Sequence, residues 1–287
     1  MTAALALATS LLWGLADFGG GLLTRRMSAL TVVVVSQTLA AAVLGAVVVA
    51  TGGWSAWGPQ LWFAVAAGVV GPVAMLAFYK ALAQGPMGVV SPLASLAVLV
   101  PVGAGLALGE RPGRLQAVGI LVAVTGVVLA GGPELRGAPV QRQTLLLTLV
   151  SAFGFGAVMA LIEHASTSMT GLFLALFVQR LCNVAVGGAA LLTQQRRGTP
   201  ALPDGGREAL VAAVPALAFV GLADVAANGT YMVAAQHGPV TVAAVLASLY
   251  PVVTALAARG VLRERLRAVQ TAGAGLALFG TVLLASG

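Results

Sequence analysis

Asp17 has the sharpest chemical potential in this chain. It is a carboxylic acid inside an apolar run, and Trp13, four positions earlier, shares its helical face. An ionisable group at mid-membrane costs about 2.5–3.5 kcal/mol on insertion scales, so it turns toward a bundle interior or a cavity. There Asp17 could exchange a proton or recognise a cationic substrate group. A place close to one membrane face, neutralised by solvent or a neighbouring helix, would give it neither role. A second set is Asp224, Asn228 and Tyr231, whose spacing aligns them along one helical stripe. Such a stripe can line a cavity, and it can equally hydrogen-bond an adjacent helix. A third set is Gln179, Arg180 and Asn183. Arg180 could counterbalance Asp17 or Asp224, bind an anionic group, or snorkel to a headgroup region. Gln37, in the matching place earlier in the chain, is a weaker lining candidate.

Other polar residues read as structure. Glu110 and Glu264 each close an apolar run beside an arginine, Arg111 and Arg265, which suits helix-end pairing. Lys80 is interfacial. Glu163-His164 ends a run and His237 sits in a turn, without the partners a metal site needs. The single Cys182 excludes an intramolecular disulfide and any multi-cysteine site. Tyr79, Trp13 and Tyr250 could shape a cavity, although aromatic residues in bundles are more often packing. No cofactor or metal is expected. The chain carries no glycine-rich nucleotide loop with Lys and Ser/Thr, which argues against ATP hydrolysis.

The elements that must position these groups are set by composition. The chain has 287 residues, 59% hydrophobic and 8% charged, with mean hydropathy +1.00. A soluble domain carries about 25% charged residues, so lipid must be the solvent. The net charge of +7 would suggest nucleic acid in a soluble protein. Here the basic residues fall between apolar runs, no continuous basic face can form, and nucleic acid is not an expected partner. The apolar amino terminus lacks the positive region of a cleaved signal peptide and reads as a retained span.

Ten runs have roughly the 20 residues that spanning requires: 2–23, 29–51, 60–83, 87–109, 115–132, 144–162, 169–193, 209–235, 239–258 and 268–286. Backbone groups in hydrocarbon must be satisfied internally, which makes these helices. Very short turns are expected at Gln84-Gly85-Pro86 and His237-Gly238-Pro239. The longest polar connections are Pro133–Gln143 and Gln194–Glu208. Pro72, Pro92, Pro101, Pro215 and Pro251 are candidate kinks.

The chain repeats itself. Glu110-Arg111, Gln116, Gly119 and Gly126 return as Glu264-Arg265, Gln270, Gly273 and Gly280. These glycine pairs suit close helix packing. Trp13-Gly14 and Gln37 match Phe155-Gly156 and Gln179, and Gly85-Pro86 matches Gly238-Pro239. Asp17 aligns with Met159, and Ala97 faces Pro251. The reading is an all-α membrane protein of ten transmembrane helices in two five-helix repeats, residues 1–132 and 144–287, joined by a loop over 133–143. An odd number of spans per copy turns the second copy upside down. With the amino terminus outside, cytoplasmic loops hold twelve of the fifteen basic residues. The positive-inside rule then places both termini outside.

Several stretches resemble the ten-helix, EamA-type branch of the drug/metabolite transporter superfamily. Leu11-Leu-Trp-Gly-Leu-Ala-Asp-Phe-Gly-Gly20 is similar to its opening Trp-Gly signature, and Phe78-Tyr-Lys-Ala-Leu-Ala-Gln-Gly-Pro86 to its third-helix ending. Gly109-Glu-Arg-Pro112, and Tyr250-Pro-Val-Val-Thr254 leading to Glu264-Arg265, resemble its fourth-to-fifth and ninth-to-tenth junctions. The likeness covers essentially the whole chain. It implies a bacterial inner-membrane transporter of amino acids, other metabolites or drugs, often outward, with a central cavity between the halves.

The expectation is a secondary active transporter, proton-coupled or exchange-driven, whose partners are lipid, a small-molecule substrate and protons. Asp17, Arg180, Asn228 and Gln179 could hold a zwitterion such as an amino acid, whereas an apolar, aromatic lining would suit drugs or lipids. The competing readings are a non-transporting scaffold or receptor, which would show no flux, and an intramembrane enzyme. The enzyme would need a nucleophile with a positioned base or a metal cluster, and the sparse His and Cys content argues against it.

Overall fold

The computed structural model describes residues 2–100, 113–130, 141–162, 164–166, 168–198, 200–237, 246–247, 249–262 and 268–286, and all its regular structure is helical. The first expected half supplies α1 (Thr2–Leu23), α2 (Ala29–Thr51), α3 (Leu61–Gln84), α4 (Met87–Ala94) and α5 (Arg114–Ala130). The second supplies α6 (Arg142–Ile162), α7 (Met169–Arg196), α8 (Gly206–Gln236), α9 (Tyr250–Leu262) and α10 (Ala268–Ser286). Among the described residues, six helices are long and apolar enough to cross a membrane: α1, α2, α3, α6, α7 and α8. Apolar stretches in α5, α9 and α10 are shorter.

Local chemistry sets the ends. Ser28 caps α2 by accepting from the Thr31 amide, and Gly52, at φ 66°, closes it with its own amide on the carbonyls of Val48 and Val49. Ser168 caps α7 by accepting from the Gly171 amide at 3.1 Å. At the expected Gln84-Gly85-Pro86 turn, the Gly85 amide still bonds the Ala81 carbonyl at 2.9 Å, and the Pro86 carbonyl opens α4. α7 continues to Arg196 and α8 starts at Gly206, so the polar connection between them is shorter than the sequence suggested.

The expected span over 87–109 is interrupted: α4 stops at Ala94 and a 3-10 turn covers Ser95–Val98. Pro72 and Pro215 lie inside α3 and α8. Pro251 falls in the first turn of α9, where the missing amide costs nothing. Pro101, Glu110, Arg111, the Gly238-Pro239 turn, Glu163, Glu264 and Arg265 lie outside the described residues.

The halves interlock across each other. α1 packs on α8 and α3 on α6; α2 packs on α8 and α3 on α7; α1 packs on α9 and α4 on α6. Replacing each helix by its repeat counterpart exchanges the members of every one of these pairs of contacts. Three further seams between the halves, α2 on α7, α4 on α9 and α5 on α10, map onto themselves.

Glycines make the seams close. A Cβ on Gly14 would strike Val253 and the Tyr250 carbonyl, and one on Gly156 would strike Val100 and the Ala97 carbonyl. These equivalent contacts align Ala97 with Tyr250, one residue away from the Pro251 pairing read from sequence. Gly68 abuts the Gln179 carbonyl and Cys182, while Gly221 abuts the Ser36 carbonyl and Ala40. Gly126 sits against the Ala277 backbone in the α5–α10 seam, the packing role expected for it.

Candidate functional site

The interior cavity is bounded by matching positions of the two halves. Trp13, Ala16 and Asp17 of α1 face Phe155, Val158 and Met159 of α6, their sequence counterparts. Gly71 and Met75 of α3 correspond to Asp224 and Asn228 of α8, and Ala97 corresponds to Tyr250. Tyr79, Gln179, Arg180 and Asn183 complete the lining. The positions repeat but the chemistry does not: Met159 replaces Asp17, and glycine and methionine stand opposite Asp224 and Asn228.

Arg180 organises the polar wall. It is 2% exposed, and its Nη1 donates to Asp224 Oδ2 at 2.9 Å and to Gln37 Oε1 at 2.7 Å. Asn183 Nδ2 donates to the same Gln37 oxygen at 3.1 Å. Asn228 Nδ2 donates to Asp224 Oδ1 at 3.1 Å and to the Asp224 backbone carbonyl at 2.7 Å. One cation and one anion therefore neutralise each other inside an amide shell. Burial of such a pair is tolerated when its remaining lone pairs and protons are also engaged.

Part of that requirement is unmet within the protein. Arg180 Nε and Nη2, Gln37 Nε2, Gln179 Oε1 and Asn183 Oδ1 are buried and without a hydrogen-bond partner among the described residues. Nε and Nη2 form the edge of a guanidinium that suits a planar pair of oxygens. Asp17 makes no hydrogen bond or ion pair among the described residues. The cavity thus offers cationic donors, two amide acceptors and a second carboxylate.

Of the residues singled out from sequence, Trp13, Asp17, Gln179, Arg180, Asn183, Asp224 and Asn228 line this one cavity. Two do not. Gln37 is fully buried behind Arg180. Tyr231 stands behind Trp13, with ring centroids 5.8 Å apart. Arg180 does not snorkel, because its guanidinium is held in the interior by Asp224. Tyr79 and Tyr250, read chiefly as packing, line the cavity, and Tyr250 meets Trp13 edge-on at 5.9 Å. The lining role of Met75, Phe155 and Val158 went unread. Their signal was the repeat itself, which sets them opposite Asn228, Trp13 and Ala16. The histidines are spent locally: His164 and His237 each set Nδ1 2.9 Å from a carbonyl of the preceding helix.

An all-helical bundle with several membrane-length helices and an internal polar compartment defines a polytopic membrane protein of the transporter type. The chain belongs to the EamA-like transporter family, whose model matches residues 1–132 and again 142–286. A solved structure titled only "Crystal structure of protein" has the same fold, with a TM-score of 0.64 at 19% identity over 98% of this chain and 95% of that one. No curated protein sequence matches this chain.

Proposed function

We propose that this protein is a secondary active transporter that moves a small zwitterionic metabolite, such as an amino acid, outward across the bacterial inner membrane. The observation that carries this reading is the set of buried, unpartnered groups around the cavity. The Nε and Nη2 donors of Arg180 suit a carboxylate, the amide oxygens of Gln179 and Asn183 suit an ammonium group, and Asp17 supplies a carboxylate with no counter-ion among the described residues. A packed scaffold has no use for such groups, each of which costs free energy when buried without a partner.

Ten spans arranged as two inverted repeats fit the helix contacts. Thr24 at the end of α1 lies beside Tyr79 near the end of α3, and Gly85, just past α3, lies beside Thr144 at the start of α6. α1 and its counterpart α6 would then run in opposite directions. Exposed Arg25, Arg26, Lys80, Arg142 and Arg207 gather at the end where α1 and α3 finish and α6 and α8 begin. That bias supports a cytoplasmic assignment for this end and an external amino terminus. Alternating access would follow from one half rocking against the other, driven by a proton or substrate gradient.

The test is flux from proteoliposomes holding the purified protein. Radiolabelled amino acids are scored with and without a pH gradient, after a thermal-shift screen selects binders. Saturable flux above empty liposomes is expected. No flux for any binder would leave the scaffold reading standing.

A further inference from the structure

The cavity has two chemically unlike walls. Arg180 on α7, Asp224 and Asn228 on α8, and Asp17 on α1 make one. The α3–α6 seam makes the other, with Gly71, Met75 and Tyr79 from α3 and Phe155, Val158 and Met159 from α6. Among the described residues, no carboxylate, amide or cation lines the cavity from that seam. Tyr79 brings a hydroxyl, and the tip of its ring lies against Gly20 of α1. The walls meet where a Cβ on Gly71 would come within 2.8 Å of Asn183 Oδ1.

The internal duplication shows where polarity is withheld. Met159 stands at the position of Asp17, Gly71 at that of Asp224 and Met75 at that of Asn228. A ligand whose charged groups engage Arg180 and Asp17 has the α3–α6 wall left for the rest of its body. Two of the large side chains there are fixed by their surroundings. Phe155 meets Phe78 edge-on at 5.5 Å, and Val158 belongs to a cluster with Ile162, Leu172 and Leu176. The other two are thioethers, whose unbranched chains adapt to the shape of a neighbour. Met75 is 7% exposed. Met159 is the more open of the two, half-buried and packed in one cluster with Trp13.

We propose that the α3–α6 wall is the side-chain subsite of the cavity, that it takes an amino acid bearing an uncharged aliphatic or thioether side chain such as leucine or methionine, and that Met159 is the residue that decides against a charged one. The proposal rests on the zwitterion reading for the charged end of the ligand. An ammonium or carboxylate carried into this wall would lose its water and gain no partner. The same methyl and thioether surfaces gain by covering an apolar side chain, because both are removed from water together. A carboxylate at position 159 would restore to the second half the group that Asp17 supplies in the first, and with it a partner for a cationic side chain.

The experiment is titration calorimetry of the purified full chain in detergent with leucine, methionine, alanine and lysine, alongside proteoliposome flux of the same four. Leucine and methionine are expected to bind about ten- to a hundredfold tighter than alanine, and lysine more weakly than leucine. Met159→Gln keeps nearly the same volume and should reduce the leucine-to-alanine affinity ratio about tenfold. Met159→Asp should reverse the order of leucine and lysine. If Met159→Asp does not fold, the ratio in Met159→Gln still decides.

Equal affinity for leucine and alanine in the unmodified protein would overturn the subsite. An unchanged ratio in Met159→Gln would overturn the role of Met159. Leucine-selective binding with no flux would retire the transport reading and keep the subsite. Flux of alanine and lysine on equal terms with leucine would keep transport and retire the subsite. Absence of binding by all four amino acids would overturn both.

Discussion

Arg180 and Asp224 form an ion pair at 2.9 Å across the α7–α8 interface, yet the pair uses only one edge of the guanidinium. Its Nη1 serves Asp224 and Gln37, while Nε and Nη2 have no partner among the described residues. The arrangement fixes the side chain without exhausting it. A cation held in this way can receive a ligand carboxylate without first leaving its counter-ion.

Breaking the pair should be costly and removing it whole should not. Asp224→Ala leaves a buried guanidinium uncompensated and is expected to destabilise the protein by about 3–5 kcal/mol. The double variant Arg180→Met, Asp224→Leu should recover most of that loss, because apolar groups of similar volume replace a desolvated pair. Flux should be absent in both. Unfolding in detergent, followed alongside proteoliposome flux, separates the two effects. Equal stability of the single and double variants would show that the pair is not desolvated.

Asp17 presents the opposite case. It lines the cavity and has no polar partner among the described residues, so Asp17→Asn removes no structural contact. The expected outcome is an unchanged unfolding midpoint, together with loss of flux driven by a pH gradient. Exchange of labelled for unlabelled substrate would report whether binding survives. PH-driven flux at the wild-type rate would take Asp17 out of the coupling mechanism.

Much of this site was legible in the chain. The stripe formed by Asp224 and Asn228, the cluster around Arg180 and the isolated Asp17 all stand out because ionisable and amide groups are expensive in hydrocarbon. Direction within a helix was harder to read. Gln37 and Gln179 are repeat counterparts, but only Gln179 reaches the cavity. Helical spacing shows which residues share a face without showing which neighbouring helix that face meets. Tyr231 follows the same spacing as Asp224 and Asn228, yet it turns behind Trp13. The interruption after Ala94 was hidden for another reason: the segment 87–109 is predominantly apolar, and hydropathy does not show where an α-helix gives way to a 3-10 turn.

Gln37 holds Arg180 in place from behind the cavity wall. Its Oε1 accepts from both Arg180 and Asn183, and it is fully buried. A hydrogen bond to a charged group contributes about 1.5–3 kcal/mol. Gln37→Leu should therefore raise KM by about ten- to a hundredfold while leaving the maximal flux within a few-fold. Gln37→Glu should keep Arg180 in place but set a second carboxylate against it, leaving a net negative charge that opposes a ligand carboxylate, and it should lose flux altogether. A fall in maximal flux at constant KM in Gln37→Leu would instead assign Gln37 to the moving seams.

The two halves should also fail in the same way when their closest seams are forced apart. Gly14 lies against Tyr250 and Val253, and its counterpart Gly156 against Ala97 and Val100, each with no room for a methyl group. Overpacking of this kind costs about 1–3 kcal/mol. Gly14→Ala and Gly156→Ala are expected to lower the unfolding midpoint by similar amounts, since each pushes an equivalent helix away from an equivalent backbone. Gly188, in α7, meets nothing within 4 Å of an added Cβ. There alanine relieves only the helix penalty of glycine, and Gly188→Ala should stabilise by about 0.5–1 kcal/mol. Thermal unfolding of the three variants in one detergent gives the comparison. A loss confined to Gly14→Ala would mean that the contact of α6 with Ala97 and Val100 yields where the α1–α9 contact does not, and that the mechanical likeness of the halves stops at their sequence.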